Sequence, residues 1–185
     1  MTLFKVLIAI PVIIIAVAAY GFWAIDLENP TSVTTLNPKS SGPKAIVIDE
    51  PGVTDWESRI VDAYASGLVS ASWHVDVTTT SVQIPTDLVG YDLVVLCSPI
   101  YGSAPSQPMQ NHLARLGSLS GVREATILAG AGSGDAAKTW MTTKVGSIDG
   151  IEVLSLALFS QAPNQGYSST DTMAIAAAAA ASINR

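Results

Sequence analysis

From Lys44 onward, short continuous apolar runs alternate with stretches whose apolar residues return every three or four positions. This alternation constrains the fold more than any other feature of the chain. Residues 45–48 (AIVI), 92–97 (DLVVLC), 125–129 (ATILA) and 153–159 (VLSLALF) carry the pattern of strands covered on both faces. Residues 73–77 alternate instead, as an edge or second strand does. Between these runs, Trp56, Ile60, Tyr64 and Leu68 stand four apart and predict a helix over 55–68. Met109, Leu113 and Leu116 do the same over 107–116, and a third helix is expected over 135–145. A last helix begins near Ser169 and runs through the alanine tract 176–181. Ser168, three residues before Asp171, is its expected cap. Five strands alternating with helices predict an α/β domain over residues 44–185, built on a doubly wound five-stranded parallel sheet. Ligands of such sheets lie at the carboxyl ends of the strands, beside the switch point.

Two segments precede that domain. No charge lies between Lys5 and Asp26, and residues 6–25 read VLIAIPVIIIAVAAYGFWAI. About 20 apolar residues in a helix rise the roughly 30 Å of a hydrocarbon core. Tyr20 and Trp23 suit an interfacial belt. Residues 1–25 therefore read as a single-pass transmembrane helix, with the lipid bilayer as partner through 6–25. A cleaved signal peptide is the competing reading, but the apolar run exceeds a usual signal core. Lys5 at one end, against Asp26 and Glu28 at the other, leans the domain to the outer side of a membrane. Residues 26–43, rich in Pro, Ser, Thr and Asn, read as a flexible linker.

Composition removes several functions. Cys97 is the only cysteine, so intramolecular disulfides, cysteine-cluster metal sites and dithiol chemistry are excluded. The net charge is −6, with 9 Lys and Arg that form no run, which argues against nucleic acid as a partner. Cys97 itself reads as a small core residue. His74 and His112 read as surface residues, Glu124, Asp135 and Asp149 as solvated element ends, and Trp56 and Trp140 as core or rim packing.

Three loops fall at the strand ends where a ligand belongs. The first, after strand one, is Asp49-Glu50-Pro51-Gly52-Val53-Thr54. Glycine permits a tight turn there, and the following helix start offers free N–H groups to an anion. An ordinary turn capped by Thr54 explains the same residues. The second, after strand three, runs from Cys97 through Ser98, Pro99, Ile100, Tyr101 and Gly102 to Ser106. Its prolines stiffen it, Gly102 permits close approach, and Tyr101 offers a flat π face that suits a planar ligand. The third, after strand four, is Gly130-Ala131-Gly132-Ser133-Gly134, whose N–H groups could meet the polar edge of a ring. It could equally be a hinge.

At these loops the chain from Lys44 to about Ala181 resembles the flavodoxin superfamily, in particular its multimeric flavodoxin and NAD(P)H-dependent FMN reductase branch. The segment CSPIYGSAPSQPMQNHLARL (97–116) is similar to that branch's Gly-Ser/Thr-Pro-hydrophobic-aromatic-x-Gly loop and following helix. Cys97 replaces the first glycine, and Gly102 follows Tyr101 directly. The resemblance implies FMN as cofactor, with Ser98, Pro99, Ile100, Tyr101 and Gly102 along the isoalloxazine and Gly130, Ala131 and Gly132 beside it. The family's phosphate loop, Ser/Thr-x-Thr-Gly-x-Thr, is kept at Gly52 and Thr54. Asp49 and Pro51 stand at its other hydroxyl positions. A carboxylate about 4 Å from a phosphate charge repels it by roughly 4 kcal/mol at an effective dielectric of 20. That is roughly a thousandfold in affinity.

The function implied is FMN-dependent electron transfer, or quinone or flavin reduction, by a membrane-tethered domain working with a redox partner protein or a quinone. The alternative is a cofactor-less accessory or scaffold subunit of a membrane complex, favoured by the altered phosphate loop. A phosphoacceptor receiver shares the strand order. It needs an aspartate where Cys97-Ser98-Pro99 stand and a lysine where Ser160-Gln161 stand.

Overall fold

The structure is a computed structural model describing residues 2–24, 27–28, 30–84, 86–130, 134–160, 164 and 171–183. Its elements are α1 (Thr2–Ala24), β1 (Thr34–Leu36), β2 (Lys44–Asp49), α2 (Asp55–Ser70), β3 (His74–Thr79), β4 (Leu93–Tyr101), β5 (Ala104–Pro105), α3 (Gln107–Arg115), β6 (Arg123–Gly130), α4 (Asp135–Gly146), β7 (Ile151–Phe159) and α5 (Thr172–Ser182). The main path of the sheet is β1-β3-β2-β4-β6-β7, with β5 paired to β4. The contacts β2 with β3, β2 with β4, β4 with β6 and β6 with β7 are parallel. Those of β1 with β3 and β5 with β4 are antiparallel.

This corrects the expected five-stranded parallel sheet: seven strands form a mixed one. The two additions are too short to show a period. β1 lies within the stretch read as linker, and β5 is two residues ending in Pro105, a residue tolerated at an edge because it needs no ladder N–H.

The transmembrane expectation is also corrected. Among the described residues, no helix is long and apolar enough to cross a membrane. α1 contains Pro11. The membrane location inferred from that segment falls with it.

Alternation along each strand divides the core between the two faces of the sheet. Ala45, Val47, Leu93, Val95, Cys97, Ala125 and Ile127 face α2 and α5. Ile46, Ile48, Val94, Leu96 and Leu128 face α3 and α4. The helical stripe read in the sequence is the buried face of α2, with Ile60, Tyr64 and Leu68 fully enclosed. The alanine tract lets α5 approach α2 closely. A Cβ built on Gly67 would come within 2.5 Å of the Ala177 carbonyl oxygen and 2.8 Å of the Ala180 methyl. The cap of α5 is Asp171, whose carboxylate accepts from the N–H groups of Met173 and Ala174 at 3.1 and 3.2 Å. Ser168, the expected cap, lies outside the described residues.

Helix α2 follows β2 onto one face and α3 follows β4 onto the other. The chain therefore diverges between these neighbouring strands, and the crevice at their carboxyl ends is where an α/β sheet places its ligand.

Candidate functional site

Strand β4 runs past Cys97 to Tyr101, so Ser98–Tyr101 are strand residues rather than loop. Pro99 fits there for a physical reason. β2 ends at Asp49, opposite Cys97, so beyond that point this side of β4 carries no ladder and a missing N–H costs nothing. The chain then reverses through Gly102, at φ +69°, and β5 pairs Ala104 with Tyr101 and Pro105 with Ile100. A positive φ at the first turn position suits glycine. The hairpin carries Tyr101 just before its turn. Ser106, the next residue, caps α3 by accepting from the Met109 N–H at 3.3 Å.

A cleft of about 500 Å³ opens at this end of the sheet, lined by Thr54, Trp56, Glu57, Ile100, Tyr101, Gly130 and Ser160. Its size is within the range of small-molecule sites. Of the residues singled out in the sequence, Thr54, Ile100, Tyr101 and Gly130 meet here. Gly130 belongs to the wall because its Cα lies against Ile100: a Cβ on it would come within 3.0 Å of the Ile100 Cβ. Ser98 and Pro99 are buried in β4, where the Ser98 hydroxyl oxygen accepts from the Ser106 N–H at 3.0 Å. They shape the wall without lining it. Gly102 is exposed, and Gly52 lies beneath the Glu57 carboxylate. Ala131 and Gly132 lie outside the described residues.

Trp56, Glu57 and Ser160 line the cleft although the sequence reading did not assign them to it. Thr54-x-x-Glu57 matches a capping box, a signal that a helix start draws Glu57 back toward the loop. The helical stripe placed Trp56 in α2 without showing that its position in the first turn faces the crevice.

Electrostatically the site is acidic. Asp49 and Glu50 are buried. Burial pushes the Asp49 carboxyl up to about 7, and Glu50, Asp62 and Glu57 add to the rise. Burial likewise pushes Glu50 up to about 7, against the hydroxyl of Thr80, which donates to its carboxylate. The Thr54 hydroxyl donates to Glu57 at 2.7 Å. Burial raises the Tyr101 phenol, a backbone hydrogen bond from Val53 works against that, and Glu57 and Glu50 raise it further. Among the described residues, none that lines the cleft is basic. Among the described residues, no group of three or more His, Cys, Asp or Glu is placed to hold a metal ion.

Two histidine and glutamate readings need revision. His112 is buried rather than on the surface, and Glu124 is fully enclosed rather than solvated. Both lie away from the residues that line the cleft.

No family model matches the sequence, and no curated protein matches it in sequence. Solved structures do match in shape. A flavodoxin from the domain Archaea superimposes with a TM-score of 0.58 at 16% identity, over 75% of this chain and 94% of that one. The chain has the flavodoxin-like fold. An azoreductase from Bacillus anthracis str. Sterne matches with a TM-score of 0.58 at 11% identity, over 77% and 100% of the two chains. An NAD(P)H:quinone oxidoreductase from Methanothermobacter marburgensis matches with a TM-score of 0.55 at 10% identity, over 75% and 92%.

The resemblance read in the sequence implies FMN, and the lining of the cleft suits one part of that molecule. A planar ring suits a cleft of this volume lined by Tyr101 and Trp56. A phosphate dianion does not fit beside the Glu57 carboxylate, with no cation among the described residues of the lining. The site as built suits an uncharged, flat ligand.

Proposed function

We propose that this chain is a flavin-binding redox domain, acting as an electron carrier or as a flavin or quinone reductase. One observation carries the reading: the crevice at the switch point of the sheet is walled by Tyr101, Trp56 and Ile100. Aromatic walls bind flat rings through dispersion and ring stacking. An isoalloxazine bound there would supply the redox chemistry. The protein's own part is to exclude water with Ile100 and Trp56, to hold the ring against Tyr101, and to leave an open side for a partner protein or a quinone. The flavodoxin-like fold and the redox proteins that share it support the same reading.

The test is a titration of the purified chain with riboflavin and with FMN, read by flavin fluorescence, visible spectrum and melting temperature. Binding of either flavin with a raised melting temperature is expected. Tyr101→Ala is expected to weaken it about tenfold. A chain that changes neither flavin's spectrum, and is not stabilised by either, overturns the proposal. The second reading, a cofactor-less accessory subunit, then stands. It is favoured by Glu57, which lies over Gly52 where an anion would otherwise approach the loop.

A further inference from the structure

The start of a helix offers unpaired N–H groups and the positive end of its dipole, and a phosphorylated ligand seeks such a place or a basic side chain. Beside this cleft that place is the start of α2, and the chain's own groups occupy it. The Glu57 carboxylate rests on Gly52 so closely that a Cβ there would come within 2.5 Å of its Cδ and 2.6 Å of Oε2. The Thr54 hydroxyl, free of any capping bond to the helix backbone, donates to Glu57 instead. The Val53 backbone bonds the Tyr101 phenol. Pro51 has no N–H to offer. Asp49 and Glu50 lie buried behind.

We propose that Glu57 is a specificity-determining residue that fills the anion position at the head of α2, so that the cleft takes an uncharged flat ring and rejects the same ring carrying a phosphate. This rests on the flavin reading above and sharpens it: the preferred flavin is riboflavin rather than FMN. The two ligands share one ring and differ in a terminal phosphate, so their ratio of affinities isolates the effect. Gly52 is part of the device. Any side chain there would displace the carboxylate, and only hydrogen lets Glu57 lie on the loop.

The full chain is titrated with riboflavin and with FMN by quenching of flavin fluorescence near neutral pH, as wild type and as Glu57→Gln. Glutamine keeps the size and can still accept from Thr54, and circular dichroism checks that it folds. The wild type is expected to bind riboflavin at least about tenfold more tightly than FMN. Glu57→Gln is expected to close that gap by strengthening FMN binding relative to riboflavin. Equal or tighter FMN binding by the wild type overturns the selectivity and leaves the flavin reading intact. An unchanged ratio in a folded Glu57→Gln overturns the role of Glu57. Failure of both flavins to bind overturns the flavin reading and this inference with it. The wild-type ratio stands as a test even if the variant does not fold.

Discussion

The backbone N–H of Ser106 donates to the hydroxyl oxygen of Ser98 at 3.0 Å, tying the start of α3 to the strand that carries Tyr101. The same N–H lies 3.1 Å from the Pro99 carbonyl oxygen, so it keeps a partner if the hydroxyl is lost. Ser98→Ala should therefore cost about 1 kcal/mol, the scale of one net hydrogen bond, rather than the larger penalty of an orphaned donor. Urea denaturation measures this. Flavin affinity should fall with it, because the hairpin beyond β4 loses an anchor.

At Gly67, α2 and α5 approach each other closely. Even a methyl there meets a backbone carbonyl rather than a movable side chain. Gly67→Ala should destabilise the domain by about 1–3 kcal/mol although alanine is the better helix former, because overpacking outweighs a propensity gain of about 1 kcal/mol. A variant as stable as the wild type in thermal unfolding would show that α5 shifts freely.

The pH dependence of stability should run against the usual acid lability. Burial holds the Asp49 and Glu50 carboxyls at about 7 and that of Glu124 at about 8. The folded state keeps these protons where the unfolded chain has lost them. The stability they give is full below about pH 4 and is lost as the pH rises through about 7 to 8. His112 works the other way. Burial, then Arg115, lowers it to about 4 against an opposing pull from Glu28, so its contribution is present above about pH 6.5 and lost as the pH falls toward 4. Three acids outweigh one base, and the melting temperature should be higher near about pH 5.5 than near about pH 8. Glu124→Gln, which can still accept from Thr126, should flatten the alkaline side of that profile.

His112 is buried in α3, and neither ring nitrogen has a hydrogen-bond partner among the described residues. Replacing an unsatisfied buried polar group by an apolar one of similar size is neutral or stabilising. His112→Leu should raise stability by about 1 kcal/mol at neutral pH and by more near about pH 5. Denaturant midpoints at the two pH values test both parts, and a loss at either would mean the imidazole has a partner in solution.

The core strands and helices were legible because their apolar periods are long enough to read, as in α2 with Ile60, Tyr64 and Leu68. β1 and β5 were not, since three and two residues carry no period. Ser98–Tyr101 read as loop because prolines ordinarily end strands, and only the end of β2 at Asp49 explains Pro99 in β4. Tyr101, Thr54, Ile100 and Gly130 were found from their places after the strands. Glu57 escaped because Thr54 reads as an ordinary cap on its own, and the Thr54-x-x-Glu57 spacing that draws Glu57 back to the loop went unused. His112 lies three residues after Met109, on the apolar stripe of α3, and that spacing carried a burial signal that its polarity masked.

β1 also has a bearing on how this chain can be shortened. Thr34, Thr35 and Leu36 pair with Val77, Asp76 and Val75, the Thr35 hydroxyl donates to Asp76 at 2.6 Å, and Arg115 holds Glu28 at 2.7 Å. The β1 pairing and the Thr35 bond seal the outer margin of β3. A polypeptide trimmed to start at Lys44 would bare a row of unsatisfied backbone groups there, and two such margins laid side by side would satisfy each other. The residues ahead of the first parallel strand therefore guard this margin against pairing with a second copy.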